Sequence, residues 1–292
     1  MKCKFKKQFV FVSLVSAFSL SSYALVDYSE TSSDMKSVNK SETRMSSPSR
    51  DSSSSLIWKS DLSFDTNYEL LKVEDQSYGL LNLNTHFQTP FNIYMDMSYW
   101  QANGSQSSAG NPKFILGFNW LRIGNSNDQA SVNLYGGMKL KSNSELGSSR
   151  TDKIFGVETT KKFSNFGLGL GYDATIAGTP DKDTELAIGT IHRIEVSGGW
   201  IVSNDIQFEV SVENFKVSKG SEAAHANLLE DLSFSTISPK LNLQIFRSVN
   251  FELGARYPMN RAKSKQDLKS VKLMDLHGVY SSSVFTGLNI SL

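Results

Sequence analysis

Four histidines, His86, His192, His225 and His277, are the side chains of this 292-residue chain that could act as bases near neutral pH. A hydrolase needs such a base within hydrogen-bond reach of a nucleophile, and Ser281, Ser282 and Ser283 follow closely on His277. No acid is placed to orient His277, and the other three histidines belong to separate segments, so neither a triad nor a metal cluster is indicated. Gly-rich phosphate loops, paired cysteine ligands and helical metal motifs are absent as well. A different kind of chemistry is better represented, namely single acids and bases spaced along alternating segments. Charges of opposite sign on one wall can orient a polar solute, or they can cross-link the wall that carries them.

The elements that position those charges repeat with a period of two, which puts alternate side chains on opposite faces of a strand. Phe91, Ile93, Met95, Met97 and Tyr99 fall on one face, with Asn92, Asp96 and Ser98 on the other. Phe166, Leu168, Leu170 and Tyr172 oppose Gly167, Gly169, Gly171 and Asp173, and Phe251, Leu253 and Tyr257 oppose Glu252 and Arg256. The pattern predicts twelve strands, at 56–66, 78–88, 91–101, 113–123, 130–141, 152–161, 165–176, 185–202, 206–218, 232–246, 249–258 and 276–292. Tight turns such as Thr89-Pro90 and Ser203-Asn204-Asp205 alternate with longer polar loops such as 102–112, 142–151, 219–231 and 259–275. That layout is expected of an all-β fold, an antiparallel up-and-down transmembrane β-barrel whose apolar face meets lipid. In lipid every backbone polar group needs a partner, so the sheet must close on itself. A soluble barrel would show the same alternation with its faces reversed.

In the last segment Val284, Thr286, Leu288, Ile290 and Leu292 share one face. Together with the two-faced strands and the loop asymmetry, this resembles a Gram-negative outer-membrane β-barrel protein of the porin-like class. The resemblance implies a last strand read by the outer-membrane assembly machinery through Leu288, Ile290 and Leu292, although such strands usually end in an aromatic residue.

Residues 1–24 are expected to be a cleaved signal peptide. They comprise Lys2, Lys4, Lys6 and Lys7, an apolar stretch at 8–20, and small residues at Ser22 and Ala24. Removing four lysines and no acid moves the formal charge from +1 to −3. Cleavage also removes Cys3, the one cysteine, and with it any disulfide or thiolate site. Residues 25–55 hold twelve serines and a single aromatic residue, Tyr28, and are expected to be a disordered periplasmic tail ahead of a barrel at 56–292. The destination expected of such a chain is the cell outer membrane.

With the apolar face outward, the inward acids are expected to be Asp61, Asp65, Asp96, Asp152, Glu158, Asp173, Glu195, Glu209, Glu213 and Glu252. The inward bases are Lys59, Lys139, Lys141, Arg193, Lys240 and Arg256. This mixed, slightly acidic lining suits a passive channel for small polar solutes with some preference for cations. A closed structural or surface-interaction barrel remains open, as does a lipid-modifying hydrolase built on His277. Inward Gly156, Gly167, Gly169, Gly171 and Gly189 would let the wall curve or receive a neighbour's bulky side chain. The last long loop, with Arg261, Lys263, Lys265, Lys269 and Lys272, is expected to face lipopolysaccharide. Outer-membrane lipid and small polar solutes are the other expected partners. No cofactor, metal or nucleic acid is expected.

Overall fold

The computed structural model describes residues 61–73, 76–103, 108–125, 128–142, 144–221, 226–260, 268–276 and 278–292. The expected signal peptide, the serine-rich segment and Lys59 lie outside the described residues. Twelve long strands follow in order: β1 (Asp61–Val73), β2 (Gln76–Gln88), β3 (Ile93–Asn103), β4 (Lys113–Asn125), β5 (Asp128–Lys139) and β6 (Asp152–Phe163); then β7 (Phe166–Ile176), β8 (Ile188–Ser203), β9 (Ile206–Lys219), β10 (Leu232–Phe246), β11 (Val249–Asn260) and β12 (Ser283–Ser291). A two-residue strand, Ser108–Ala109, lies against β3. Each long strand runs antiparallel to its sequence neighbours, and β12 returns to β1 with Ser63 opposite Ser291 and Leu71 opposite Ser283. The ring is therefore closed and has no free edge, as a sheet in hydrocarbon requires.

The two faces are inverted relative to a soluble barrel. Leu170 is 52% exposed and Val284 55%, whereas Asp173, Glu213 and Arg256, on the other face of the wall, are buried. Water would select the opposite arrangement; lipid outside and a polar lumen select this one. Aromatic residues gather on the outside at the short-turn end, where Phe163, Phe166 and Trp200 pack together with centroid distances of 6.3 and 4.9 Å.

Two strands differ from expectation. β1 is described over Asp61–Val73 and runs past the expected end at 66, because the alternation continues with Tyr68 and Leu70 outward and with Asn67 and Glu69 buried inward. Glu69 is accommodated by Arg256 Nη1 and Ser283 Oγ, both of which donate to its carboxylate. These partners are remote in sequence, so no local pattern announces them. β12 begins at Ser283 rather than 276. The preceding residues fold instead across the long-loop end of the barrel, with a short 3-10 helix at Leu268–Val271.

That segment explains where the apolar core sits. Near the long loops the inward face turns apolar, with Leu80, Trp100, Phe215, Val217, Leu232 and Phe234 buried. Val271, Leu273 and Val279 pack against one part of this lining and Met274 against another. Phe215 and Phe234 stack at 4.8 Å beneath them. Lipid outside and an apolar plug inside leave this end of the wall apolar on both faces, while the rest of the lumen stays polar.

Candidate functional site

The polar part of the lumen is organised by cations that each serve several carboxylates. Arg193 on β8 reaches Asp173 on β7 with Nε at 2.5 Å, and reaches Glu195 and Glu213 with Nη1 at 3.2 and 3.1 Å. Strand register explains the convergence, since Asp173 pairs directly with Arg193 and Glu195 pairs directly with Glu213 on β9. Nearer the turn end, Lys240 on β10 lies 3.0 Å from Glu209 and 3.5 Å from Glu252. Arg256 pairs with Glu69 across the closing seam and stacks over Phe285, with its guanidinium carbon 4.4 Å from the ring centroid. His86 Nδ1 is 2.6 Å from Asp96. Around Arg193 and Lys240 the acids outnumber the bases, three to one and two to one, so the potential along that part of the wall is negative.

Bulky groups lie over glycines, as the small residues on the inner wall foreshadow. A Cβ at Gly156 would fall 2.2 Å from Tyr135 Cζ, so the ring occupies the space that a side chain would take. Two adjoining cavities of about 40 and 90 Å³ share Lys113, Asp173 and Arg193 in their walls. Both are large enough to hold water among the charged side chains.

Above the ion pairs the plug is fastened by a buried latch. Glu185, in the loop before β8, accepts Ser148 Oγ and Arg150 Nη1 on Oε1, both at 2.7 Å. On Oε2 it accepts Ser149 N at 2.7 Å and Ser149 Oγ at 2.8 Å. The same Arg150 Nη1 donates to the plug carbonyl of Val271 at 3.0 Å, and Nε lies 3.2 Å from Asp152. Lys139 joins the latch through Asp152 at 2.9 Å and the plug residue Asp275 at 3.0 Å. Burial would raise the Asp275 carboxyl, but Lys139, and behind it Arg150, hold it below the ordinary carboxylate value. Backbone bonds lace the loops together, with Leu186 N donating to Ser270 O at 2.8 Å and Leu228 N to Ala187 O at 2.9 Å.

The structure thus brings together, inside one barrel, Asp96, Lys139, Glu158, Asp173, Arg193, Glu195, Glu209, Glu213, Lys240, Glu252 and Arg256. Lys141 does not join them. β5 ends at Lys139, and two residues later the chain has left the wall, so Lys141 is exposed and pairs with Asp181 at 2.5 Å. Asp61 lies in β1, but its side chain, like that of Lys269, is outside the described residues, as are Arg261, Lys263 and Lys265 entirely. In the described end of the long loop expected to face lipopolysaccharide, Val271, Leu273 and Met274 pack inward and Lys272 Nζ donates to Glu145 O. Leu288 and Ile290 pair with Thr66 and Phe64 on β1, and Leu292 N donates to Leu62 O at 2.9 Å.

Glu69, Lys113 and Lys162 are lumen residues that the pattern missed, because each lies at or beyond an end of its expected strand. Of the histidines, His192 Nδ1 meets Tyr172 Oη on the outer face at 2.9 Å, while His225 and His277 lie outside the described residues.

Solved structures share this fold at low sequence identity. The COG4313 outer membrane channel from Pseudomonas putida F1 matches with a TM-score of 0.57 and 9% identity, over 80% of this chain and 96% of that one. The NanC porin matches with a TM-score of 0.52 and 11% identity, over 79% of this chain and 100% of that one. No family model and no curated protein sequence matches the chain. The closed twelve-stranded ring with its apolar outer surface is the architecture of a membrane-spanning β-barrel, and it shares its fold with that channel and that porin.

Proposed function

We propose that the barrel is a passive conduit for small polar solutes that favours cations, and that the conformation described above is its closed state. One observation carries this reading: a polar, acid-rich lumen ends at a plug held by side-chain contacts and a few loop hydrogen bonds rather than by a strand of the wall. A barrel built only for rigidity gains nothing from burying acids in excess of bases, since each unmatched buried charge is costly. A lumen that admits cations gains a favourable potential from the same excess. The folds of the COG4313 channel and the NanC porin are compatible with conduction in this architecture.

A second reading, a closed barrel that does not conduct, is favoured by the small cavities and by the ion pairs that tie neighbouring strands together. Cation efflux from proteoliposomes separates the two. Wild-type protein should release rubidium slowly yet well above protein-free vesicles, and faster than it releases chloride. Rates equal to those of empty vesicles, from protein shown to be folded and inserted, would leave the closed-barrel reading standing.

A further inference from the structure

One belt of lumen residues runs in register around the wall through Asn133, Glu158, Gly171, Glu195, Glu213 and Thr236. Its notable feature is a glycine with a glutamate on either side. Adjacent strands lie about 4.8 Å apart, so the Glu158 and Glu195 backbones stand about 10 Å apart with no side chain between them. A Cβ placed on Gly171 would meet only Glu195 Cβ, at the ordinary contact distance of 3.7 Å, so the space over the glycine is open. Both glutamates and Gly171 line the same cavity of about 40 Å³. Glu158 is 6% exposed and Glu195 4%, and Oε1 of each has no hydrogen-bond partner.

The neighbouring charges do not supply the missing partner. Arg193 is shared among Asp173, Glu195 Oε2 and Glu213. Asp96 holds His86, and Lys113 contributes one further cation to a wall that also carries four carboxylates. The niche therefore presents bare acceptors in a buried, negatively charged pocket. A buried acceptor with no donor is destabilising, and more so when it is charged.

We propose that this niche is a cation-binding site, which takes one small hard cation, alkali or alkaline-earth, between Glu158 Oε1 and Glu195 Oε1. Oxygen-only ligands select hard cations, and there is no thiolate or imidazole in the niche to favour softer ones. A cavity of about 40 Å³ favours a small cation over a bulky organic one. Among the described residues no three acidic, histidine or cysteine side chains are grouped as a chelating cage, so the ion is bridged and keeps water as its other ligands. Such a site binds weakly and exchanges readily, and its occupancy follows the cation content of the medium. The inference is independent of conduction, because a barrel that never opens would still hold the ion.

The test is the unfolding midpoint of the full folded chain in a non-ionic detergent, after chelation and dialysis, in chlorides of sodium, potassium, calcium or tetramethylammonium at equal ionic strength and fixed pH. The small cations should give a saturable rise of about 2–4 °C over tetramethylammonium, with calcium largest because two carboxylate charges face it. Gly171→Ala, which adds a methyl group to the niche at an ordinary contact distance and removes no charge, should abolish most of that rise. Glu158→Gln and Glu195→Gln should each reduce it. Equal midpoints in small and bulky cations would overturn the proposal, with protonation or water left as the means of satisfying the carboxyls. A full rise retained by Gly171→Ala would overturn it as well, even if the glutamate variants fail to fold.

Discussion

Replacing Glu185 by Ala attacks the latch at its centre. Glu185 is 1% exposed and accepts four hydrogen bonds from Ser148, Ser149 and Arg150, while Arg150, fully buried, carries the contact to the plug carbonyl of Val271. Removing one partner of a buried ion pair costs about 3–5 kcal/mol. Arg150 keeps Asp152 at 3.2 Å, which places the loss at the lower end, about 3 kcal/mol. If that energy belongs to the closed state, a loss of 1.4 kcal/mol per decade shifts the closed-to-open ratio by about a hundredfold. Single-channel recording in a planar bilayer measures that ratio as the fraction of time open, and heat-modifiable gel migration shows that the barrel is folded. Glu185→Gln, which keeps an acceptor and loses the charge, should fall between wild type and Glu185→Ala. A folded Glu185→Ala protein with the open fraction of wild type would refute the assignment of the latch.

Other outcomes follow from the same geometry. Gly278 has a φ of 79° and its Cβ would lie 2.1 Å from Thr236 Cγ2, so Gly278→Ala should unseat the plug and raise the open fraction; unchanged closure would show that this turn does not hold it. Glu209 and Glu213 each face a lumen cation, Lys240 and Arg193, so changing both to Gln should move the reversal potential in a salt gradient toward anions. An unmoved potential would show that neither lines the path. Asp275 titrates below its ordinary 3.8, so its contribution to closure is complete above that value and is lost only as the pH falls through the lower folded value. The open fraction should therefore stay level from about pH 7 to 5 and rise only under stronger acid, and opening near pH 6 would contradict this role for Asp275.

The wall was legible in the sequence because lipid outside and charge inside impose a period of two on every strand. That pattern located the strands to within a few residues and sorted Asp173, Glu195, Glu213 and Arg256 to the correct face. It stopped too early in β1, since an inward Glu69 makes sense only beside Arg256, a partner 187 positions away. Lys113 and Lys162 escaped because strand ends are set by hydrogen bonds to neighbours, and side-chain alternation does not register these. The plug was not legible as strand or loop. Val271, Leu273, Met274 and Val279 follow no strand period, and part of the segment looks like the start of the last strand. A usable signal was present nonetheless: Phe215 and Val217 continue the inward parity of Glu209 and Glu213, so the inner face turns apolar just where the plug covers it. The pairing of acids with particular cations depends on register between strands, which composition does not encode.

In the proposed function a cation-favouring lumen lies beneath a removable plug. The most direct test is the conductance, in a planar bilayer with a potassium chloride gradient, of the barrel with residues 268–280 replaced by a short Gly-Ser linker. Stable current steps and a reversal potential on the cation side are expected. A folded, inserted and silent barrel would contradict this reading and would assign closure to the wall itself.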